Sequence, residues 1–97
     1  MRVISKKQLT YFGNLFPDAK AALQAWYAEA NFAAWKNPAE IKEQYGNASI
    51  LKNSRVVFNI CGNKYRLVVQ INFPYSVIYI RFIGTHKEYD AIDAEVI

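Results

Sequence analysis

From Arg55 to Ile83 apolar side chains recur at every second position through three runs, Arg55 to Cys61, Lys64 to Phe73 and Val77 to Ile83, all rich in Val, Ile, Phe and Tyr. A period of two belongs to strands, because successive side chains of an extended chain point to opposite faces. Gly62-Asn63 and Pro74-Tyr75-Ser76 carry the residues that turns require, so the runs predict a three-stranded antiparallel meander.

The turns also predict the register. With Gly62-Asn63 as a two-residue loop, Cys61 pairs with Lys64, Asn59 with Arg66 and Phe58 with Leu67. With the second turn centred on Pro74 and Tyr75, Leu67 lies opposite Phe82, Val68 opposite Arg81 and Arg66 opposite Ile83. One face then collects Val56, Phe58, Ile60, Tyr65, Leu67, Val69, Ile71, Ile78, Ile80 and Phe82, a surface that helices must cover. The other collects Arg55, Asn59, Lys64, Arg66, Gln70, Tyr79 and Arg81. A slip of one residue in the second turn would part Arg66 from Arg81 and put Ile80 in water, so hydrophobic burial guards the polar face as well.

The residues before the meander read as a strand and three helices. Met1 to Ile4 is a short strand, and Ser5 is placed to cap a helix carrying Leu9, Phe12 and Leu15 or Phe16 at helical spacing. Pro17-Asp18 breaks that helix and caps a second, from Asp18 to about Phe32, with Ala22, Leu23, Trp26, Tyr27, Ala30 and Ala33 along one side. The two pack as a helical hairpin. Asn37-Pro38-Ala39-Glu40 opens a third, short helix that ends at Gly46.

A chain of 97 residues has too few to close two cores, so a single domain over 1–97 is expected. Just over half of the residues are apolar, and a lone Cys61 and a lone His86 exclude a disulfide framework or a multi-ligand zinc site. No metal or cofactor is expected. No apolar run approaches the roughly 20 residues of a membrane-spanning helix. The start, Met1-Arg2-Val3-Ile4, lacks the pattern of a secretion signal, which predicts a cytoplasmic protein.

The net charge of +4 is unevenly spread. Between Glu43 and Glu88 there is no acidic residue, while Lys52, Arg55, Lys64, Arg66, Arg81 and Lys87 fall there. Clustered cations gain from counterion release on a polyanion, which points toward a nucleic-acid partner, although on charge alone a small basic domain more often has just a solvated face.

Past the last strand, Gly84 gives way to Thr85, His86, Lys87, Tyr89 and Asp90. Arg66 and Arg81, diagonal on neighbouring strands, can reach one phosphate together, or else pair with Asp90 or Asp93. An imidazole titrates near neutrality and suits proton transfer, although a lone histidine is more often structural. His86 and Tyr89, three apart, share a face if Lys87 to Tyr89 are helical; a tyrosine here more often closes the core, and Lys64 is by default an ordinary turn lysine. Cutting RNA without a metal needs a base for the 2′-hydroxyl, cations for the phosphorane and an acid for the departing 5′-oxygen. This polar face offers all three. DNA lacks the internal nucleophile.

The chain resembles the HigB family of toxin–antitoxin messenger RNA interferases, within the RelE-like superfamily. The resemblance spans nearly its full length: MRVISKKQL, the DAKAALQAWY helix, Trp35 and, most specifically, VVFNICGNKYRLVVQINF and VIYIRFIGTHKEYDAID. It implies an α+β fold with helices on one side of a small antiparallel sheet and a short C-terminal helix or turn. It also implies the toxin of a type II system, a metal-independent endoribonuclease that cleaves mRNA on the ribosome. A helix-turn-helix, HigA-like antitoxin would neutralise it, with DNA bound only through that complex. Positions matching the family motifs are Asn59, Asn63, Lys64, Arg66, Arg81, His86, Lys87 and Tyr89. Catalysis is then expected from Arg66, Arg81, His86 and Tyr89, with His86 and Tyr89 dividing proton transfer in an unassigned order, and RNA contacts from Arg55, Asn59, Asn63, Lys64 and Lys87. Cys61 departs from the family, which commonly has glycine there; a tolerated small side chain is expected rather than a nucleophile. Two other roles fit the same resemblance: a basic module that holds RNA or antitoxin without cutting, and an inactive toxin that serves only operon autoregulation.

Overall fold

The computed structural model covers residues 1–97 and has the order β1 (Arg2–Ile4), α1 (Lys6–Leu15), α2 (Pro17–Phe32), α3 (Pro38–Gln44), β2 (Ser49–Ile50), β3 (Arg55–Ile60), β4 (Tyr65–Asn72), β5 (Val77–Thr85) and α4 (His86–Asp90). One open sheet runs β1-β5-β4-β3-β2. The meander β3-β4-β5 forms its centre. The N-terminal strand adds to β5 in parallel, pairing Arg2 with Val77 and Val3 with Ile78, so the sheet is mixed rather than purely antiparallel. A two-residue strand β2, which no alternation announced, pairs Ile50 with Val56.

The helices lie on one face. Leu9 and Phe12 of α1, Ala19, Leu23, Trp26 and Ala30 of α2, and Trp35 and Ile41 pack with Val56, Phe58, Ile60, Tyr65, Leu67, Val69, Ile71, Ile78 and Ile80 of the sheet. Trp26 and Trp35 both meet the ring of Phe58, at 5.3 and 6.3 Å between centroids. The α3 start is the expected one, with Asn37 Oδ1 accepting from the Glu40 amide at 3.1 Å and Pro38 in the first turn. That helix ends at Gln44, short of Gly46. Two cap expectations fail. Ser5 takes a left-handed φ of 75° and makes no side-chain cap, and the residue before α2 is Phe16, with Pro17 already helical.

Between β3 and β4 the register is the one the turn implies: Asn59 pairs with Arg66 and Phe58 with Leu67. The loop itself is longer. Cys61 joins Gly62 at positive φ, 55° and 68°, so alternation stops at Ile60 and Cys61 to Lys64 form the connection. Between β4 and β5 the predicted register holds from Asn72↔Val77 to Val69↔Ile80 and then shifts, with Val68 opposite Phe82, Leu67 opposite Ile83 and Arg66 opposite Gly84. A β-bulge at Arg81 supplies the extra residue. It leaves Ile80 in the core and Arg81 exposed, but turns Phe82 to the outer face and brings Ile83 against the core. The expected place of Phe82 in the main core is thereby corrected.

The outer face is not bare. Val57 and Val68 point to it, and residues 91–97 fold back to bury them under Ala94, with Leu51, Phe82, Tyr89 and Ile97 around the rim. Alternation alone required some cover for these two valines. α4 is set by Thr85 and Glu88, whose side chains bond reciprocally to each other's amides at 3.1 and 2.8 Å.

Candidate active site

What residues 91–97 leave uncovered is the strip of outer face running from Tyr79 and Gln70 through Arg81 to Arg66, Asn59 and the start of α4. Arg66 and Arg81 share that face, although the bulge sets Arg81 beside Gln70 rather than opposite Val68. Arg66 donates to Asn63 twice, to the side-chain oxygen at 2.7 Å and to the carbonyl at 3.3 Å. Arg81 donates to Gln70 Oε1 through Nε at 3.2 Å and through its terminal nitrogen. Neither meets a carboxylate; the ion pairs of the molecule are Lys64–Asp18 and His86–Asp90. Both guanidinium groups thus keep their charge uncompensated, steadied by neutral amides with donors left for an anion.

His86 opens α4 where β5 ends. Its amide donates to the Lys64 carbonyl at 3.0 Å, which ties the helix to the loop that also carries Asn63. Its Nδ1 lies 3.2 Å from Asp90 Oδ2, one helical turn on, which orients the ring and leaves Nε2 free of any protein partner. Asp90 is the residue sequence reasoning missed in this role, having been weighed only as a partner for the arginines; the spacing of four was the available signal. Tyr89 is half-buried against the small cluster of Val57, Val68 and Ala94, so the packing reading holds for its ring. Lys87 and Asn59 are exposed, Asn59 directly across from Arg66.

Two cations expected on this strip lie elsewhere. Arg55 is buried, with Nε donating to the Ile97 main-chain oxygen at 3.0 Å and a terminal nitrogen to the Asn53 carbonyl at 2.8 Å. It holds residues 91–97 down instead of facing solvent. Lys64 turns toward the helices, where its Nζ is 2.9 Å from Asp18 Oδ2 while the Tyr65 hydroxyl donates to Oδ1 at 2.7 Å. The bond from Tyr65 and then that from Lys64 hold the Asp18 carboxyl below the usual aspartate range; the same carboxylate raises both partners. Cys61 follows Lys64, its thiol donating to the Asp18 carbonyl at 3.4 Å. The left-handed backbone at Cys61, φ 55°, is a conformation that glycine adopts more easily than any residue with a side chain.

No group of three or more His, Cys, Asp or Glu side chains is placed to hold a metal ion. No helix is long and apolar enough to cross a membrane.

The fold and strip define a small α+β protein with helices on one face of a five-stranded sheet and an uncompensated cationic site on the other. Residues 19–92 match the HigB_toxin family, the RelE-like toxic component of a toxin–antitoxin system. The chain is 31% identical over 96 residues to the mRNA interferase toxin HigB of Escherichia coli strain K12, covering 97% of this chain and 92% of that protein. It has the same identity and coverage with the mRNA interferase HigB of Shigella flexneri. With the mRNA interferase HigB of Escherichia coli O6:H1 it is 27% identical over 94 residues, 95% of this chain and 91% of that one. The chain belongs to the HigB family of RelE-like toxins.

Proposed function

We propose that this toxin is an endoribonuclease that cuts messenger RNA by attack of the 2′-hydroxyl on the adjacent phosphorus, without a metal. The observation that carries the reading is the pair of carboxylate-free guanidinium groups of Arg66 and Arg81 on the outer face, with an imidazole oriented by Asp90 where β5 ends. Arg66 and Arg81 hold the scissile phosphate and the charge that grows on it. His86 Nε2, with Nδ1 turned to Asp90, takes the 2′-hydroxyl proton. The oxygen attacks phosphorus, the bond to the 5′-oxygen breaks, and the departing oxygen is protonated, leaving a 2′,3′-cyclic phosphate and a 5′-hydroxyl. Tyr89 delivers that second proton from the edge of its cluster. Lys87, Asn59 and Asn63 contact the flanking chain. Arg55 and Lys64, engaged within the protein, act on the framework.

The name carried by the relatives supports mRNA as substrate, and the toxin–antitoxin family supports a neutralising antitoxin. Action in the cytoplasm on ribosome-bound message, with a helix-turn-helix, HigA-like antitoxin whose complex with the toxin binds operator DNA, completes the reading. Primer extension on a cellular transcript after induction should reveal new 5′ ends within codons. Arg66→Ala and Arg81→Ala should each slow cleavage by about 2–4 kcal/mol of transition-state stabilisation, with the fold intact because both side chains leave the core. Growth arrest that survives the double substitution overturns the catalytic assignment. Uncut transcripts point instead to a sheet that holds RNA or antitoxin without cleaving.

A further inference from the structure

Beyond the arginines, the uncovered strip ends in a group of side chains that the reaction does not use. Tyr79 stands on β5 next to Arg81 on the same face, 36% exposed, with the Arg81 guanidinium 5.6 Å from its ring centre. Its ring forms one wall of a shallow hollow of about 240 Å³, shared with Ser54, Gln70, Asn72 and Pro74. No carboxylate lines it. The two amides in the hollow have their oxygens in use: Gln70 Oε1 accepts from Arg81 Nε at 3.2 Å, and Asn72 Oδ1 accepts from the Tyr75 amide at 3.2 Å. Their NH2 groups donate to no protein acceptor. An aromatic face, a neighbouring cation and two free donors suit a planar ligand whose rim bears acceptor atoms.

We infer that this hollow is a nucleobase subsite, in which one base of the bound RNA stacks on Tyr79 while Gln70 and Asn72 donate to its edge. The inference rests on the RNA-cutting reading above and extends it, because Arg81 then touches both the scissile phosphate and the stacked nucleotide next to it. Stacking tolerates any base, whereas two donors at the edge favour bases with acceptors there, so the subsite contributes both grip and choice.

The test uses the full chain and a 2′-O-methyl oligoribonucleotide, which lacks the attacking hydroxyl, carrying 2-aminopurine at successive positions. Wild-type protein should quench one position strongly. Tyr79→Phe should keep that quenching, while Tyr79→Leu should lose it and bind about tenfold more weakly or worse. Because Tyr79 stands on the surface, unchanged thermal midpoints will show both variants folded. Absence of quenching at every position, or equal quenching and affinity in Tyr79→Leu, overturns the subsite. Wild-type cleavage of a natural transcript, measured alongside, separates the two ideas: cleavage without Tyr79-dependent quenching removes the subsite alone, and quenching without cleavage removes only the nuclease.

Discussion

Asn63 holds Arg66 by two oxygens, its side-chain oxygen at 2.7 Å from one guanidinium nitrogen and its carbonyl at 3.3 Å from the other. Asn63 sits in the loop between β3 and β4, whose Lys64 carbonyl also receives the His86 amide. One loop therefore sets the position of the proposed phosphate-binding cation and of the proposed base. Asn63→Ala removes the shorter of these bonds and should leave Arg66 held only by main-chain carbonyls. We expect about a tenfold loss in single-turnover cleavage, equivalent to about 1.4 kcal/mol, with an unchanged thermal midpoint.

The partner of His86 is equally open to test. Asp90 keeps the ring in one orientation across a single turn of α4. Asp90→Ala should slow cleavage by about five- to thirtyfold, and His86→Ala by about a hundredfold or more. An Asp90→Ala enzyme with wild-type rate would show that the pair is a surface ion pair only.

Arg55 is a framework residue whose loss should be read in stability. Arg55→Met keeps the apolar stem and removes the bonds to the Ile97 and Asn53 main-chain oxygens. The expected loss is about 1.5–3 kcal/mol in urea denaturation. Amide exchange should accelerate first in residues 91–97, the segment it holds.

Gly84 carries a steric prediction. A Cβ there would lie 2.5 Å from Cζ of Phe82 and 3.1 Å from Oε1 of Glu88, the capping-box carboxylate of α4. Gly84→Ala must push the Phe82 ring off its cluster or disturb the cap. We expect about 1–3 kcal/mol of destabilisation by chemical denaturation, together with reduced cleavage as His86 shifts.

Asp18 links stability to pH. Its carboxyl titrates below the ordinary aspartate value of 3.8 because Tyr65 and Lys64 donate to it. A depressed folded-state pKa contributes stability above the unfolded value and loses it as pH falls through the folded one. Asp18→Asn should therefore be less stable than wild type at neutral pH, and the two midpoints should converge as pH drops below about 3.8. A gap that stays constant from pH 7 to pH 3 would assign the loss to packing.

Much of this arrangement is legible in the sequence. Asn59↔Arg66 followed from the Gly62-Asn63 turn, and Asn72↔Val77 to Val69↔Ile80 from Pro74-Tyr75, since turn geometry propagates along a ladder one residue at a time. The ladder rule fails where a residue is inserted. Nothing in VIYIRFIG marks Arg81 as the bulge, so strict alternation puts Phe82 on the wrong face. Lys64 and Cys61 were misplaced because left-handed backbone at Cys61 ends the alternation on which face assignment depends. Arg55 was misplaced because residues 91–97 have no period to announce where they fold back.

Local rules of period, turn chemistry and charge spacing thus determined the helices, the meander, its first register and the acid-free stretch from Gln44 to Lys87. Tertiary structure decided which of those cations stay free. Burying Val57 and Val68 drew the C-terminal residues across the outer face and took Arg55 with them, and the carboxylate of Asp18, brought in by α2, took Lys64. Arg66 and Arg81 were left with neutral amides. Packing across 26 and 37 positions, and a hydrogen bond and an ion pair across more than forty, made that selection, and no pattern along the chain encodes contacts at such distances.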